Sequence, residues 1–213
     1  MIGIIDSRMI GIIDYGMGNL HSVKNACDHL GLDSMISDDP AQLERCDRLI
    51  LPGVGAFGDM MKNLKETGMD QFVIDQAKNK KKPLLGICLG MQALFESSEE
   101  NGLQKGLGLL QGNVIEMQNY EIRIPEIGWN ELIIKGSHPL RTLLSEKPFA
   151  YYDHSFCASG FDPDDLIAYS QYGPYTVCGL AGKDNILGAQ FHPEKSGKDG
   201  LRILEWFAKE FEA

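Results

Sequence analysis

A cysteine flanked by glycines is the first candidate for chemistry in this chain of 213 residues. Cys88 stands in the segment Gly86-Ile87-Cys88-Leu89-Gly90, between an apolar run and a predicted helix. Glycines two residues before and two after permit the sharp strand-to-helix turn on which hydrolases expose a nucleophile. A helix N-terminus favours a thiolate, and the Leu89 amide could stabilise an oxyanion. The alternative is a buried structural cysteine, since free cysteines are commonly buried.

A nucleophilic cysteine needs a base, and His192 is the best placed of the five histidines. It follows the predicted strand Ile186–Phe191, and functional groups of open α/β sheets gather beyond the carboxyl ends of strands. Pro193 disfavours a helical conformation at His192, so His192 and Glu194 are expected to share one face of extended chain. Glu194 would then orient the imidazole, completing a Cys-His-Glu set. The alternative is a turn with a chance polar pair.

A glycine-rich segment, Leu51-Pro52-Gly53-Val54-Gly55, follows another predicted buried strand. Backbone amides in such a segment can bind an anion, although an ordinary strand-to-helix turn would read the same way. It is not a nucleotide-binding P-loop, because no Gly-Lys-Ser/Thr follows.

The elements that must position these residues alternate in the first half of the chain. Strands are predicted at Ile10–Asp14, Ser34–Ser37, Asp47–Leu51 and Pro83–Cys88, and helices at Leu20–Leu30, Ala56–Glu66, Met69–Lys81 and Gly90–Glu96. Further strands are predicted at Val114–Met117, Glu131–Lys135, Ala150–Phe156, Leu166–Tyr172, Tyr175–Ala181 and Ile186–Phe191, before a helix at Gly200–Phe211. Apolar strands alternating with helices predict a three-layer α/β fold with a central, mostly parallel sheet, partly antiparallel in its C-terminal half.

Composition narrows the class of protein. The formal net charge of −10 argues against a nucleic-acid binder. No apolar run approaches the length of a membrane span, and the start lacks the pattern of a signal peptide, so we expect a cytoplasmic protein. The five cysteines are scattered without a CxxC pair, which disfavours disulfides and zinc. We expect neither a metal nor another cofactor.

The first residues contain a short duplication, because Met1–Asp6 and Met9–Asp14 both read MIGIID. Turn and helix signals follow the second copy directly, so that copy is predicted to be the first strand. Residues 1–8 are therefore expected to be an appendage, such as a duplicated start or a cloning remnant, before a single domain at residues 9–213.

Taken together, the motifs resemble those of the class I (triad) glutamine amidotransferases. The matching segments are GICLGMQ at 86–92, FHPE at 191–194 and PGVGAF at 52–57. More narrowly, DYGMGNL at 14–20, IGWN at 127–130 and HSF at 154–156 resemble the glutaminase subunits of imidazole glycerol phosphate synthases. The resemblance implies a flavodoxin-like fold.

The resemblance also implies roles for individual residues. Cys88 would attack the side-chain amide of L-glutamine, His192 would transfer protons, and Glu194 would orient His192. The oxyanion would be bound by backbone amides of Leu89 and of the turn at Gly53 and Val54. The substrate would be contacted by Gln92, Glu96, Ser155 and Phe156.

A partner is implied as well. The family's ammonia passes to a (β/α)8-barrel cyclase subunit in a heterodimer of histidine biosynthesis. The matching motifs would place Asn19, Trp129 and Lys195 at the interface. An alternative is a glutaminase that supplies another acceptor enzyme, such as a nucleotide-sugar amidation enzyme. A catalytically silent scaffold of the same fold is a further alternative, which the intact triad disfavours.

Three positions depart from the family pattern. Glu126 stands where PHxGWN commonly has histidine, Asp153 replaces an aliphatic residue, and Phe156 replaces tyrosine. None belongs to the triad, but all three concern the geometry of the substrate site and the interface.

Overall fold

The computed structural model describes residues 8–119 and 121–212. Their strands are β1 (Ile10–Ile13), β2 (Ser34–Ser37), β3 (Arg48–Gly53), β4 (Leu84–Cys88), β5 (Ser97–Ser98), β6 (Gln104–Lys105), β7 (Asn113–Glu116), β8 (Glu126–Glu131), β9 (Ile133–Ile134), β10 (Phe149–His154), β11 (Phe156–Ser159), β12 (Leu166–Tyr172), β13 (Tyr175–Lys183) and β14 (Ile186–Ala189). Their helices are α1 (Leu20–His29), α2 (Pro40–Leu43), α3 (Phe57–Thr67), α4 (Met69–Lys78), α5 (Leu89–Leu94), α6 (Leu140–Leu143) and α7 (Gly197–Lys209).

The central sheet has eight strands in the order β2-β1-β3-β4-β14-β13-β12-β9. The strands from β2 to β14 pair in parallel, whereas β13, β12 and β9 continue the sheet in antiparallel pairs. This arrangement confirms the predicted sheet, mostly parallel and partly antiparallel in its C-terminal half. The predicted appendage at residues 1–8 lies outside the described residues, apart from Arg8.

The core lies on both faces of this sheet. Ile10 and Ile12 of β1 pack in one cluster with residues of α1 and α7, whereas Ile13 packs in a second cluster with residues of α3 and α4. Because neighbouring side chains of a strand point to opposite faces, apolar residues at successive positions need helices on both sides. Among the described residues, no helix has the length and apolar character needed to span a bilayer.

Two predicted strands are divided between sheets. The predicted strand Ala150–Phe156 is interrupted at Ser155, so that β10 pairs with β8 in one small sheet and β11 pairs with β7 in another. The predicted strand Glu131–Lys135 is divided as well, because β8 pairs with β10 whereas β9 joins the central sheet. The first break brings residues 154–156 to the edge where β4 ends.

The turn between β4 and α5, which contains Cys88, depends on backbone packed against backbone. Cys88 has φ 54° and ψ −112°, a conformation that a residue with a side chain rarely adopts. A Cβ atom added to Gly90 would lie 1.9 Å from the Leu51 carbonyl oxygen, and one added to Gly53 would lie 2.6 Å from the Gly90 nitrogen. The glycines therefore let α5 begin directly against β3, which holds Cys88 in its strained conformation.

Gly90→Ala should destabilise the fold by at least about 3 kcal/mol, because the new methyl group overlaps the Leu51 carbonyl and neither backbone can move freely. Urea unfolding followed by circular dichroism measures this change.

Gly58→Ala is the matched control. Gly58 also lies in a helix, but a Cβ there would meet nothing closer than 3.7 Å. The control should gain up to about 1 kcal/mol of unfolding free energy from helix propensity. Equal unfolding free energies for the two variants would contradict the steric argument.

Candidate active site

A cavity of about 310 Å³ lies beyond the carboxyl ends of β3, β4 and β14. Its walls come from the turn after β3, the start of α5, the break between β10 and β11, and the segment after β14. The lining residues include Val54, Cys88, Leu89, Gln92, Glu100, Asp153, His154, Ser155, Phe156, His192 and Lys195. The parallel strands thus bring together motifs that are far apart in the sequence.

The structure brings Cys88, His192 and Glu194 together. The His192 Nδ1 atom lies 2.8 Å from the Glu194 Oε1 atom, and both side chains are buried. Because a carboxylate accepts hydrogen bonds, Nδ1 carries the proton in this pair and Nε2 is left for the thiol. The arrangement of nucleophile, imidazole and orienting carboxylate is the one that covalent acyl transfer requires.

The charge state of His192 follows from its neighbours. Burial opposes the charged imidazole, but hydrogen bonds to Cys88 and Glu194, together with the charges of these groups, raise the pKa of His192 to about 10. These contacts therefore stabilise the imidazolium form of His192, and an imidazolium beside a cysteine favours the thiolate that can attack a carbonyl carbon.

The His192–Glu194 contact was expected to arise because both residues lie in extended chain, and this holds for His192 but not for Glu194. His192 is extended, with φ −97° and ψ 98°, as the following proline predicts. Glu194, however, lies in a 3₁₀ turn at Pro193–Lys195 rather than in extended chain. This turn carries the Glu194 carboxylate back to His192, and it is closed by the Ser196 hydroxyl donating to the His192 carbonyl at 2.6 Å.

The predicted oxyanion residues border the nucleophile. Gly53, the last residue of β3, is paired in register with Cys88. Val54 follows it and lines the cavity, and Leu89 lines the cavity as the first residue of α5. Gly53 and Leu89 are thus neighbours of Cys88, one across the strand pair and one along the chain, and the oxyanion role stays a prediction.

Three of the four predicted substrate residues line the cavity: Gln92, Ser155 and Phe156. The Gln92 Nε2 atom donates to the Phe156 carbonyl at 3.0 Å, which ties α5 to the break between β10 and β11. Glu96 is placed differently from the prediction. Because α5 ends at Leu94, Glu96 is not on this helix, and its carboxylate accepts from the Gly112 amide at 2.9 Å.

Glu100 is the carboxylate that faces the cavity instead. It lies four residues beyond Glu96, and its Oε2 atom accepts from the Phe57 backbone amide at 2.7 Å. Glu100 is absent from the predicted substrate residues because the predicted helix Gly90–Glu96 pointed to Glu96 as the acidic side chain. The acidic pair Glu99-Glu100 after α5 could have indicated a carboxylate at the cavity, but the sequence does not show which of the carboxylates turns inward.

A second buried pair borders the cavity. The His154 Nε2 atom lies 3.2 Å from the Glu126 Oε2 atom, and the His154 Nδ1 atom lies 2.9 Å from the Phe156 carbonyl oxygen. Asn130 donates to the other oxygen of Glu126 at 3.0 Å. Glu126, the departure from the family pattern, is thus buried against a histidine and joins β8 to the cavity wall.

The predicted interface residues come from three separate parts of the fold: β8, the 3₁₀ turn after His192 and the start of α1. Trp129 is 56% exposed and contacts Tyr151 edge-on, with ring centroids 6.1 Å apart. Lys195 lines the cavity, and its Nζ atom lies 5.9 Å from the centroid of the Tyr151 ring. Asn19 lies at the N-terminus of α1, after the chain leaves β1.

The chain belongs to the class I glutamine amidotransferase family, whose model matches residues 11–211. Among its relatives is the imidazole glycerol phosphate synthase subunit HisH of Bacillus velezensis, 47% identical over 94% of this chain and 96% of that protein. The HisH subunit of Sulfurimonas denitrificans is also 47% identical, over 94% of this chain and 98% of that protein.

Solved structures agree on the fold. A glutamine amidotransferase crystal structure superposes with a TM-score of 0.73 at 21% identity, covering 93% of this chain and 96% of that chain. The structure of PurLQS from Thermotoga maritima superposes with a TM-score of 0.65 at 19% identity, covering 94% of this chain and 97% of that chain. At these identities the likeness concerns the fold alone.

The titration of His192 should depend on Cys88. In the wild type we expect the imidazole to titrate near pH 10, and in Cys88→Ala at a lower pH, because the charged sulfur is gone. Because the folded-state pKa is raised, the stability linked to this group is complete below about pH 6.5 and is lost as pH rises through about 10. NMR of the His192 ring across this range measures the shift.

An unchanged His192 midpoint in Cys88→Ala would show that the sulfur does not stabilise the imidazolium.

Proposed function

We propose that this protein is the glutaminase subunit of an imidazole glycerol phosphate synthase, hydrolysing L-glutamine and passing ammonia to a cyclase subunit. The observation that supports the proposal is that Cys88 and His192 line one cavity while Glu194 is hydrogen-bonded to His192, in a chain 44–48% identical to HisH subunits. Each residue of the triad then has a defined task.

The first half of the reaction forms a thioester. In the reacting pair His192, whose pKa is raised to about 10, already holds the proton of the Cys88 thiol. The sulfur bonds to the amide carbon of glutamine, and the carbonyl oxygen becomes an oxyanion. When the oxyanion collapses, the carbon–nitrogen bond breaks and His192 returns the proton to the departing nitrogen, which leaves as ammonia. Glu194 stabilises the imidazolium between these transfers.

The second half hydrolyses the thioester. Water gives a proton to His192 and bonds to the thioester carbon, and the carbon–sulfur bond then breaks to release glutamate. In both halves the oxyanion is bound by backbone amides of Leu89 and of the Gly53–Val54 turn. Such donors act on charge that exists only in the transition state and the intermediate.

The amino-acid end of glutamine is oriented by groups around Cys88. The Glu100 carboxylate is the charge suited to the α-ammonium group, and it is held by the Phe57 amide. Backbone groups of Ser155 and Phe156 line the cavity and contact the substrate there. Gln92 holds the Phe156 carbonyl in place by donating a hydrogen bond to it. A bound glutamine thereby places its side-chain amide at the sulfur.

The partner docks on a surface that we call the outer face of β8 and β10. It consists of alternate residues of two paired strands: Ile127, Trp129, Phe149, Tyr151 and Asp153. Ile127 and Trp129 are more than half exposed, and large exposed apolar side chains of this kind mark protein interfaces. The occupant is the (β/α)8-barrel cyclase, which receives ammonia before water can protonate it, in a heterodimer that works in the cytoplasm.

Glutamate release should be strongly stimulated by a purified barrel cyclase subunit with its nucleotide ligand. Cys88→Ala should lower the stimulated rate by about 10⁴-fold or more, to background, since removal of a triad nucleophile leaves little beyond binding. A coupled glutamate dehydrogenase assay measures both rates.

Cys46→Ala is the matched control, because Cys46 is another buried cysteine and lies outside the cavity lining. It should retain the full stimulated rate. Cys88-dependent turnover without stimulation would redirect the proposal to a different acceptor enzyme, such as one amidating a nucleotide sugar. No turnover in any combination would contradict the glutaminase assignment.

Trp129→Ala should weaken binding of the cyclase subunit by about 2 kcal/mol, roughly thirtyfold in Kd, because exposed tryptophans at interface centres commonly dominate affinity. Isothermal titration calorimetry of the two subunits measures this loss.

Ile133→Ala provides the comparison, because Ile133 is also a partly exposed apolar residue but lies on β9, outside the outer face of β8 and β10. Its Kd should match the wild type. If both variants bind equally well, the partner docks elsewhere.

A further inference from the structure

Gln190 is a completely buried amide directly behind the nucleophile. It follows β14, and its backbone amide donates to the Gly179 carbonyl at 2.9 Å. Its side chain makes two contacts, with Gln92 and with Cys88. The triad mechanism assigns no task to this side chain, although burying an amide costs free energy unless its polar atoms are used.

The orientation of the Gln190 amide is determined by its neighbours. The Phe156 carbonyl can only accept, so the Gln92 atom 3.0 Å from it must be the nitrogen. The same Gln92 nitrogen lies 3.1 Å from the Gln190 side chain, which must therefore present its oxygen there. The remaining end of the Gln190 amide is its NH₂ group, and this is the end that faces Cys88.

The Gln190 Nε2 atom lies 3.9 Å from the Cys88 Sγ atom. Catalytic hydrogen bonds are often long in the resting enzyme and tighten when charge develops. The thiol can donate to the Asp153 carbonyl at 3.8 Å, but a thiolate is repelled by that oxygen and needs donors. Within the contacts of the described residues, Gln190 and His192 are the side chains that supply donors to this sulfur.

We propose that Gln190 is a further catalytic residue, whose side-chain N–H stabilises the Cys88 thiolate while Gln92 and the Phe156 carbonyl hold it in that orientation. This stabilisation of the thiolate acts twice in the glutaminase reaction, and the proposal for Gln190 rests on that proposed function. It stabilises the sulfur before attack, when the thiol proton has moved to His192. It stabilises the sulfur again when the thioester carbon–sulfur bond breaks and the electron pair returns to sulfur.

Alkylation by iodoacetamide tests the proposal without using glutamine. The thiolate bonds to the reagent carbon and iodide leaves, so the rate follows the fraction of ionised Cys88. Gln190→Met keeps the side-chain volume but removes the donor. At pH 7 we expect the Cys88 alkylation rate to fall by about tenfold or more, the usual weight of a hydrogen bond to a charged group. At high pH, where the sulfur is ionised in both proteins, the two rates should converge.

Gln76→Met is the matched control, because Gln76 is also a buried amide but lies on α4, away from the cavity. It should reproduce the wild-type rate at every pH. Peptide mass spectrometry assigns the modification to Cys88 rather than to another cysteine. Gln190→Asn, which withdraws the amide by one methylene group, serves as the second variant if Gln190→Met does not fold.

A wild-type pH profile of alkylation in folded Gln190→Met or Gln190→Asn would overturn the proposal, and a lowered melting temperature with that profile would assign Gln190 a purely structural role. The result is separable from the proposed function. If the wild type shows no glutaminase activity with any partner, a Gln190-dependent alkylation profile still establishes the contact with the thiolate.

Discussion

The architecture depends on one close approach, that of α5 to β3. The Gly90 α-carbon packs so tightly against the Leu51 carbonyl that no side chain fits between them. This contact fixes where α5 begins, and thereby forces Cys88 into the left-handed region at φ 54°. Backbone strain of this kind persists only where the surrounding structure holds it. Here the parallel pairing of β3 with β4, with Gly53 opposite Cys88, provides the restraint.

The cavity wall formed by residues 154–156 depends on the break between β10 and β11 rather than on close packing. The chain leaves β10 at His154 and enters β11 at Phe156, so the Phe156 carbonyl lies at the junction of the two small sheets. Because the chain changes sheets there, this carbonyl accepts from both Gln92 and His154. The Phe156 carbonyl therefore orients side chains on two sides of the cavity, Gln92 of α5 and His154 of β10. This shared acceptor fixes the position of α5 relative to the break between β10 and β11.

The sequence predicted the parts of the site that depend on local rules. Glycines around Cys88 and the proline after His192 restrict the backbone whatever the tertiary context, and both features were found. The predictions that were wrong concern positions whose structure is decided by contacts with residues far away in the sequence. Glu96 looked helical by continuity, but the helix ends at Leu94, and Glu100 turns inward instead. The strand β8 was missed because its pairing with β10, not its own pattern, makes it a strand.

The same strand β8 has two different faces. Alternate residues of a strand point in opposite directions, so Trp129 faces outward with Tyr151 while Glu126 faces inward against His154. A rigid-body shift of β8 caused by docking at Trp129 would move Glu126 and, through His154, the Phe156 carbonyl that holds Gln92. If the outer face binds the cyclase, partner binding and the geometry around Cys88 are linked through one short strand.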